Sequence, residues 1–168
     1  MTDLAIRASC ADDLAQILAL YPLAFSDEDL TGLIAQLLGG EYQVTSLCAF
    51  ENDGLVGHIL FTRDLSGHGA LLGPMAVSPA RQRQGIGSAL IKAGLDALKA
   101  QGVAQVFVLG DPGYYSRAGF TPERHVQPCY PIPEKWRDAW QSYKIGKASV
   151  DAASLKLPTP WMEPSLWG

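Results

Sequence analysis

The sequence predicts an α/β (α+β) fold: a mixed sheet that contains one parallel strand pair and carries helices. Three observations predict it. Two β-rich runs, 44–51 and 55–62, flank Asn52-Asp53-Gly54, the pattern of an antiparallel hairpin. The run "ALLGPMAV" (70–77) leads through a glycine loop into an amphipathic helix over 85–100, then into "VAQVFVLG" (103–110), a continuous apolar strand of the buried kind. Strand, helix and strand in that order make one βαβ crossover, which sets its two strands parallel. Two helix-forming stretches precede the hairpin.

Taken along the chain, "LAIRAS" (4–9) alternates and predicts a first strand. Ser9 is placed to cap a helix over 11–21, with Asp12 and Asp13 at its positive end. "SDEDLTGLIAQLLGG" repeats the device: Ser26 caps, three acids follow, and Gly39-Gly40 stop the helix. In the central helix Ile86, Ala89, Leu90, Ala93, Ala97 and Leu98 recur at helical spacing, and Gly102 ends it. "GYYSRAGF" (113–120) predicts a short helical turn and "GFTPERHV" another strand. "PIPEKWRDAWQSYKI" predicts a helix opening near Pro133, which puts Trp136 and Trp140 on one face. "ASLKLP" predicts a last strand, ahead of an extended tail rich in Pro and Trp. Absent repeats or a low-complexity linker, 1–168 is expected to be one domain, with a core over about 4–125 and a C-terminal extension over about 126–168.

The 168 residues are 48% hydrophobic and 18% charged, enough apolar matter for a real core. A net charge of -4 and a pI near 5.3 argue against a nucleic-acid binder. No apolar run approaches the roughly 20 residues that span a bilayer, and the N-terminus lacks the pattern of a secretory signal. Cys10, Cys48 and Cys129 are scattered and odd in number, without metal-ligand spacing. The expectation is a cytoplasmic protein with no metal, no membrane and no nucleic acid.

The loop "SPARQRQGIG" raises the functional question. Glycines let a backbone approach a ligand closely, and the unpaired amides of a helix start, added to the helix dipole, suit an anion such as phosphate. The alternative is a tight turn and helix cap with no ligand. A Walker loop is rejected for want of Lys after Gly87, and a dinucleotide fingerprint because Leu90 stands at its third glycine. The preceding strand carries Gly73-Pro74. Proline cannot donate to a ladder, so the parallel pair is expected to splay near Pro74–Val77 and leave the backbone of Met75 and Val77 facing a gap.

Met75-Ala76-Val77 followed by Gln82-Arg83-Gln84-Gly85-Ile86-Gly87 resembles the Q/RxxGxG/A signature of the GNAT superfamily of acyl-CoA-dependent N-acetyltransferases. "GYYSRAGF" is similar to that superfamily's next motif, and "GHILFT", "LGPMAVSPARQRQGIGSALI" and "VLGDPGYYSRAGF" resemble its YhbS-like branch. The resemblance covers about 4–125. It implies a mostly antiparallel sheet with a central splayed parallel pair and helices on both faces, and it implies acetyl-CoA (coenzyme A) as co-substrate. The amides of Arg83, Gln84, Gly85, Gly87 and Ser88 would hold the pyrophosphate. The backbone of Val77 would pair with pantetheine, and the Met75 amide would face the acetyl carbonyl. Tyr115 would protonate the leaving sulfur, against the alternative that its ring only packs on the sheet.

Glu51, His58, Asp64, His68 and Asp111 are candidate bases, none of them singled out. Many relatives carry an asparagine shortly before the aromatic-Tyr pair, whereas this chain has Gly110-Asp111-Pro112-Gly113. The four tryptophans could serve the core, a homodimer interface or an acceptor pocket. The acceptor expected is an amine of a small molecule or peptide. The competing reading is a CoA-binding sensor or partner module without turnover.

Overall fold

The computed structural model describes residues 3–168. Seven strands are hydrogen-bonded in one mostly antiparallel sheet: β1 (Leu4–Ala8), β2 (Val44–Glu51), β3 (Gly54–Arg63), β4 (Gly69–Val77), β5 (Gln105–Leu109), β6 (Thr121–Pro122) and β7 (Trp140–Lys144). The order is β1-β2-β3-β4-β5-β7-β6, and β4 with β5 is the parallel pair. The mixed fold with one parallel pair is therefore as the sequence predicts. By its contacts the chain divides into two compact units, one of residues up to Phe61 with Gly73–Ala97, the other of Thr62–Leu72 with Leu98–Gly168.

In the first unit, β1 pairs with β2 from Leu4↔Glu51 to Ala8↔Leu47. The hairpin turns on Asn52 and Asp53, both with positive φ (50° and 66°), the geometry for which Asn and Asp are tolerated. Helix α1 (Leu14–Ala24) follows a 3-10 turn at Ala11–Asp13. Ser9 does not cap it, because its hydroxyl donates to Ser46 Oγ at 2.7 Å. Asp13 accepts from the Cys10 amide at 2.8 Å and pairs with both Arg7 nitrogens, at 2.7 and 2.9 Å. The helix also runs three residues past the expected end, since the Phe25 amide still finds the Tyr21 carbonyl at 2.8 Å.

Helix α2 (Thr31–Gly39) begins later than Ser26 predicts. Asp27, Glu28 and Asp29 precede it, and Asp29 does the local work: its Oδ1 accepts from the Thr31 amide at 3.0 Å and the Thr31 hydroxyl at 2.6 Å. Helix α3 (Ile86–Ala100) keeps its predicted apolar face, with Ile86, Leu90, Ile91 and Leu98 all buried. Its close seat on β3 depends on missing side chains: a Cβ on Gly94 would collide with the Phe61 ring, and one on Gly57 would lie 3.0 Å from Ile86 and Leu90.

In the second unit the parallel ladder holds three pairs, Gly69↔Gln105, Ala70↔Val106 and Leu71↔Phe107. Pairing thus stops at Leu71, short of Pro74. The other edge of β5 pairs antiparallel with β7 over its whole length. This corrects the sequence reading. The helix expected from Pro133 is a 3-10 segment, Glu134–Ala139, and the chain then becomes strand β7. Trp136 and Trp140 accordingly share no helix face: Trp136 is 38% exposed and Trp140 is 2% exposed. Of the strand expected in "GFTPERHV" only Thr121–Pro122 forms, and 148–158 contributes a single bridge, Gln127↔Ser154.

The tail completes a core rather than extending away. Phe107 stacks on Trp140 at 5.6 Å between centroids, and Trp167 meets both Trp140 and Trp161 at about 6 Å. Each buried indole N–H has an acceptor, namely the Val126 carbonyl for Trp140, the Thr62 hydroxyl for Trp161 and the Trp161 carbonyl for Trp167. Buried tryptophan is stable only with such a partner.

Candidate functional site

The predicted residues divide between the two units. Met75, Val77, Arg83, Gln84, Gly85, Gly87 and Ser88 belong to the first, and Tyr115 to the second. In the first unit β4 ends at Val77 and the chain crosses a 3-10 turn at Pro79–Arg81. Two bonds fasten that turn: the Ser78 amide donates to the Val56 carbonyl at 2.8 Å, and Arg81 Nε donates to Glu51 Oε1 at 2.6 Å. Gln82 then folds back, its Nε2 donating to the Val77 carbonyl at 3.2 Å.

From this anchored base the backbone turns sharply twice. Gln82 is extended (φ -67°, ψ 155°), Arg83 is left-handed at φ 64°, and Gly85 is left-handed at φ 85°. A left-handed arginine costs about 1–2 kcal/mol, so the surrounding contacts impose the shape. Left-handed residues in a turn reverse the direction of the main-chain amides, the kind of backbone from which anion-binding concavities are built. The Gly85 carbonyl accepts the first intrahelical bond, from the Ala89 amide at 3.0 Å. The amides of Ile86, Gly87 and Ser88 therefore precede the first helical bond and point out of the helix start. A Cβ built on Gly85 has nothing within 4 Å, so open space lies directly beside the backbone. Arg83, Gln84, Gly85 and Ser88 are exposed, while Gly87 is buried.

In the second unit β5 leads through Gly110 into the short helix α4 (Pro112–Tyr115). Asp111 caps it: Oδ1 accepts from the Gly113 amide at 2.9 Å, and its carbonyl accepts from the amides of Tyr114 and Tyr115 at 3.1 and 3.0 Å. The half-buried Tyr115 ring packs edge-on against Tyr114 and Phe120, with centroids at 5.1 and 5.8 Å. A Cβ on Gly110 would sit 2.5 Å from Tyr115 Cε2, so glycine there is what admits the ring. Burial, with smaller contributions from Tyr114 and Asp111, pushes the Tyr115 phenol well above its ordinary value, and it stays protonated at neutral pH.

The candidate bases fare differently. Glu51 is engaged by Arg81. Asp64 closes its own loop, accepting from the Ser66 hydroxyl and the amides of Gly67 and Gly69. Asp111 is spent as a cap, and His68 is exposed. His58 is wholly buried in a polar chain that the sequence did not suggest: Nδ1 lies 2.8 Å from the Tyr21 hydroxyl and Nε2 2.8 Å from Ser46 Oγ. Burial lowers its pKa to about 4, so the ring is neutral. Sequence reasoning also missed Glu123, buried at 8% exposure in a segment that reads as strand.

The acetyltransferase (GNAT) family model matches residues 12–120, a span that holds both junctions. The chain is 37% identical over 144 residues to the uncharacterised N-acetyltransferase YjhQ of Escherichia coli K12, covering 79% of this chain and 80% of the relative. To YhbS of the same organism it is 28% identical over 154 residues, covering 88% and 89%. The crystal structure of E. coli YhbS in complex with CoA superposes with a TM-score of 0.87 at 24% identity, over 97% of this chain and 94% of that one. A GNAT acetyltransferase of Brucella melitensis, solved with acetyl-CoA, gives 0.77 at 27% identity over 95% and 98%. The extent of the family match, spanning the anion-competent loop and the tyrosine turn together, shows that the chain belongs to the GNAT acetyltransferase family.

Proposed function

We propose that the chain is an acetyl-CoA-dependent N-acetyltransferase acting on an amine of a small molecule or peptide. The observation that carries this reading is the junction at 82–88, where left-handed Arg83 and Gly85 present main-chain donors beside open space. A pyrophosphate fits such a junction, since it supplies acceptors for main-chain donors and meets the positive end of α3. The amides of Arg83, Gln84, Gly85, Gly87 and Ser88 are assigned to it. The relative solved with acetyl-CoA supports the same ligand.

Acetyl-CoA brings an acyl group activated as a thioester; the protein must orient it, polarise its carbonyl and stabilise the departing sulfur. The Met75 amide is assigned to the carbonyl, where one oriented donor typically contributes about 3–4 kcal/mol to the barrier. The Val77 backbone is assigned to the pantetheine. Its carbonyl keeps a second lone pair beside the Gln82 bond, so accepting once more is open to it. Tyr115 is assigned as the donor to the sulfur. A phenol held above its normal pKa is a weak acid but a secure hydrogen-bond donor, so it stabilises a thiolate without first losing its own proton. No side chain is assigned as base: an amine that arrives neutral attacks directly, and the proton its nitrogen sheds as the amide forms passes to the departing thiolate or to solvent. The free thiols of Cys10, Cys48 and Cys129 agree with a reducing, cytoplasmic setting.

The test is release of free thiol from acetyl-CoA across a panel of primary amines. Amine-dependent release is expected. CoA binding with no release for any amine would instead favour the sensor.

A further inference from the structure

Residues between Glu123 and Trp140 in the second unit line a cavity of about 400 Å3, within the range of about 300–1,000 Å3 typical of small-molecule sites. Its wall is preorganised. Pro128, Pro131 and Pro133 fix three backbone torsions in six residues, which leaves little freedom to lose on binding. The loop is also tied down: Gln127 exchanges bonds with Ala153 and Leu155 at 2.9 and 2.8 Å, and the Cys129 thiol donates to the Leu155 carbonyl at 3.1 Å.

The charge on this wall is specific. Glu123 Oε1 accepts from Gln105 Nε2 and the Ser142 hydroxyl, at 3.1 and 2.6 Å, and Oε2 from the His125 and Val126 amides, both at 2.8 Å. Although burial alone would raise its pKa, bonds from Ser142 and the two amides hold it below the usual glutamate value, so it is ionised. Every one of these donors is neutral. Among the described residues no Lys or Arg forms an ion pair with Glu123. Two guanidiniums also belong to the lining, and each has an exposed carboxylate partner, Asp138 for Arg124 and Glu134 for Arg137. Glu123 therefore carries a buried negative charge whose charged neighbour is the exposed His125, and it lines a cavity to which Trp140 and Tyr130 also belong.

The Trp140 N–H is taken by the Val126 carbonyl and its ring stacks on Phe107, so Trp140 borders the cavity only as part of its apolar wall. The four bonds to Glu123 saturate its lone pairs, so it acts through charge rather than by a new hydrogen bond. Aromatic side chains and a buried anion favour a cation that needs few hydrogen bonds. We propose that this pocket binds a small organic ammonium ion, held among Trp140 and Tyr130 by the buried charge of Glu123. It belongs to the second unit, whereas the loop at 82–88 belongs to the first. The ion's source is either an acceptor of acetyl transfer or an ammonium compound that is not acetylated.

Calorimetric titration of the full chain with choline, and with its uncharged isostere 3,3-dimethylbutan-1-ol, tests the proposal without any assay of acetyl transfer. Choline should bind at least tenfold more tightly than the isostere. Tyr130→Ala should weaken choline at least fivefold, and Ile132→Trp, which fills the cavity, should abolish binding with the melting temperature retained. If Ile132→Trp does not fold, Tyr130→Ala at the half-buried loop position still decides. Absence of choline binding to wild type, equal affinity for the isostere, or unchanged affinity in Tyr130→Ala would overturn it. Choline also separates the two sources, since it cannot be N-acetylated. Competitive inhibition of transfer to butylamine marks the pocket as the acceptor's, and binding without such competition marks it as a separate effector site.

Discussion

The two strand-to-helix junctions, after β4 and after β5, solve the same topological problem in opposite ways. After β4 the residue that precedes α3 is Gly85, which has no side chain to cap it; Arg83 and Gly85 are left-handed, and open space lies beside Gly85. After β5 the Asp111 carboxylate and carbonyl take up the first amides of α4, and the product is one positioned side chain, Tyr115. The first junction offers main chain to a ligand and the second offers a phenol. Under the proposed assignment the start without a side-chain cap serves binding and the capped one serves positioning, although both read as glycine-bearing turns in sequence.

Substitutions should therefore separate binding from chemistry. The largest effect is expected for Tyr115→Phe, which keeps the ring and removes the proton. The value of kcat should fall about 10²-fold or more, the usual scale for a lost proton donor, with CoA affinity unchanged. Tyr114→Phe is the matched control. Equal steady-state rates for wild type and Tyr115→Phe, where chemistry limits turnover, would remove the phenol from the reaction.

Next in size is Gly85→Asp. It places a side chain at φ 85° and a negative charge beside the amides. Acetyl-CoA affinity measured by calorimetry should fall about tenfold or more, at roughly 1.4 kcal/mol per factor of ten. Unaltered affinity in a folded variant would return 82–88 to the role of a mere turn. A smaller effect is expected for Gly110→Ala, whose Cβ must displace the Tyr115 ring. It should lower kcat severalfold and leave CoA binding alone, whereas a fall in affinity of the same size would blur the division between the junctions.

A separate effect concerns stability and leaves the reaction aside. His58 titrates near 6.5 when unfolded and about 4 when folded. Between these values the unfolded chain binds one more proton, so stability is full above about pH 6.5. It declines as pH falls toward 4, by at most about 1.4 kcal/mol per pH unit for one proton. Thermal melts of His58→Gln should show a flatter slope across that window. The same slope in both proteins would place the acid sensitivity elsewhere, with Arg7-bound Asp13 contributing only at still lower pH, as its carboxyl is held well below the usual range.

How much of this was legible in the sequence follows from the range of the forces involved. The hairpin at Asn52-Asp53 and the apolar face of α3 are set by neighbours within four residues, and both were predicted. Strand β7 was not. Trp136 and Trp140 at a spacing of four imitate a helix, but the far edge of the apolar β5 needs a partner, and "WQSYK" supplies it from 31 to 39 residues away. That unpaired edge was the available signal. Ser26 failed as a cap for the converse reason: Asp29 lies nearer to Thr31 and competes better for its amide. At the site, the glycines and Tyr115 were readable as motif residues. Neither Glu123 nor the His58 chain was, because their meaning depends on burial among partners distant in sequence.

The contrast between the junctions is tested most directly by nuclear magnetic resonance of the 15N-labelled chain during titration with inorganic pyrophosphate. Pyrophosphate alone should shift the amide resonances of Arg83, Gln84, Gly85, Gly87 and Ser88, and leave those of Gly113, Tyr114 and Tyr115 in place. Amides at 83–88 that stay still even at saturating CoA would contradict the assignment of this loop as the cofactor's anion site.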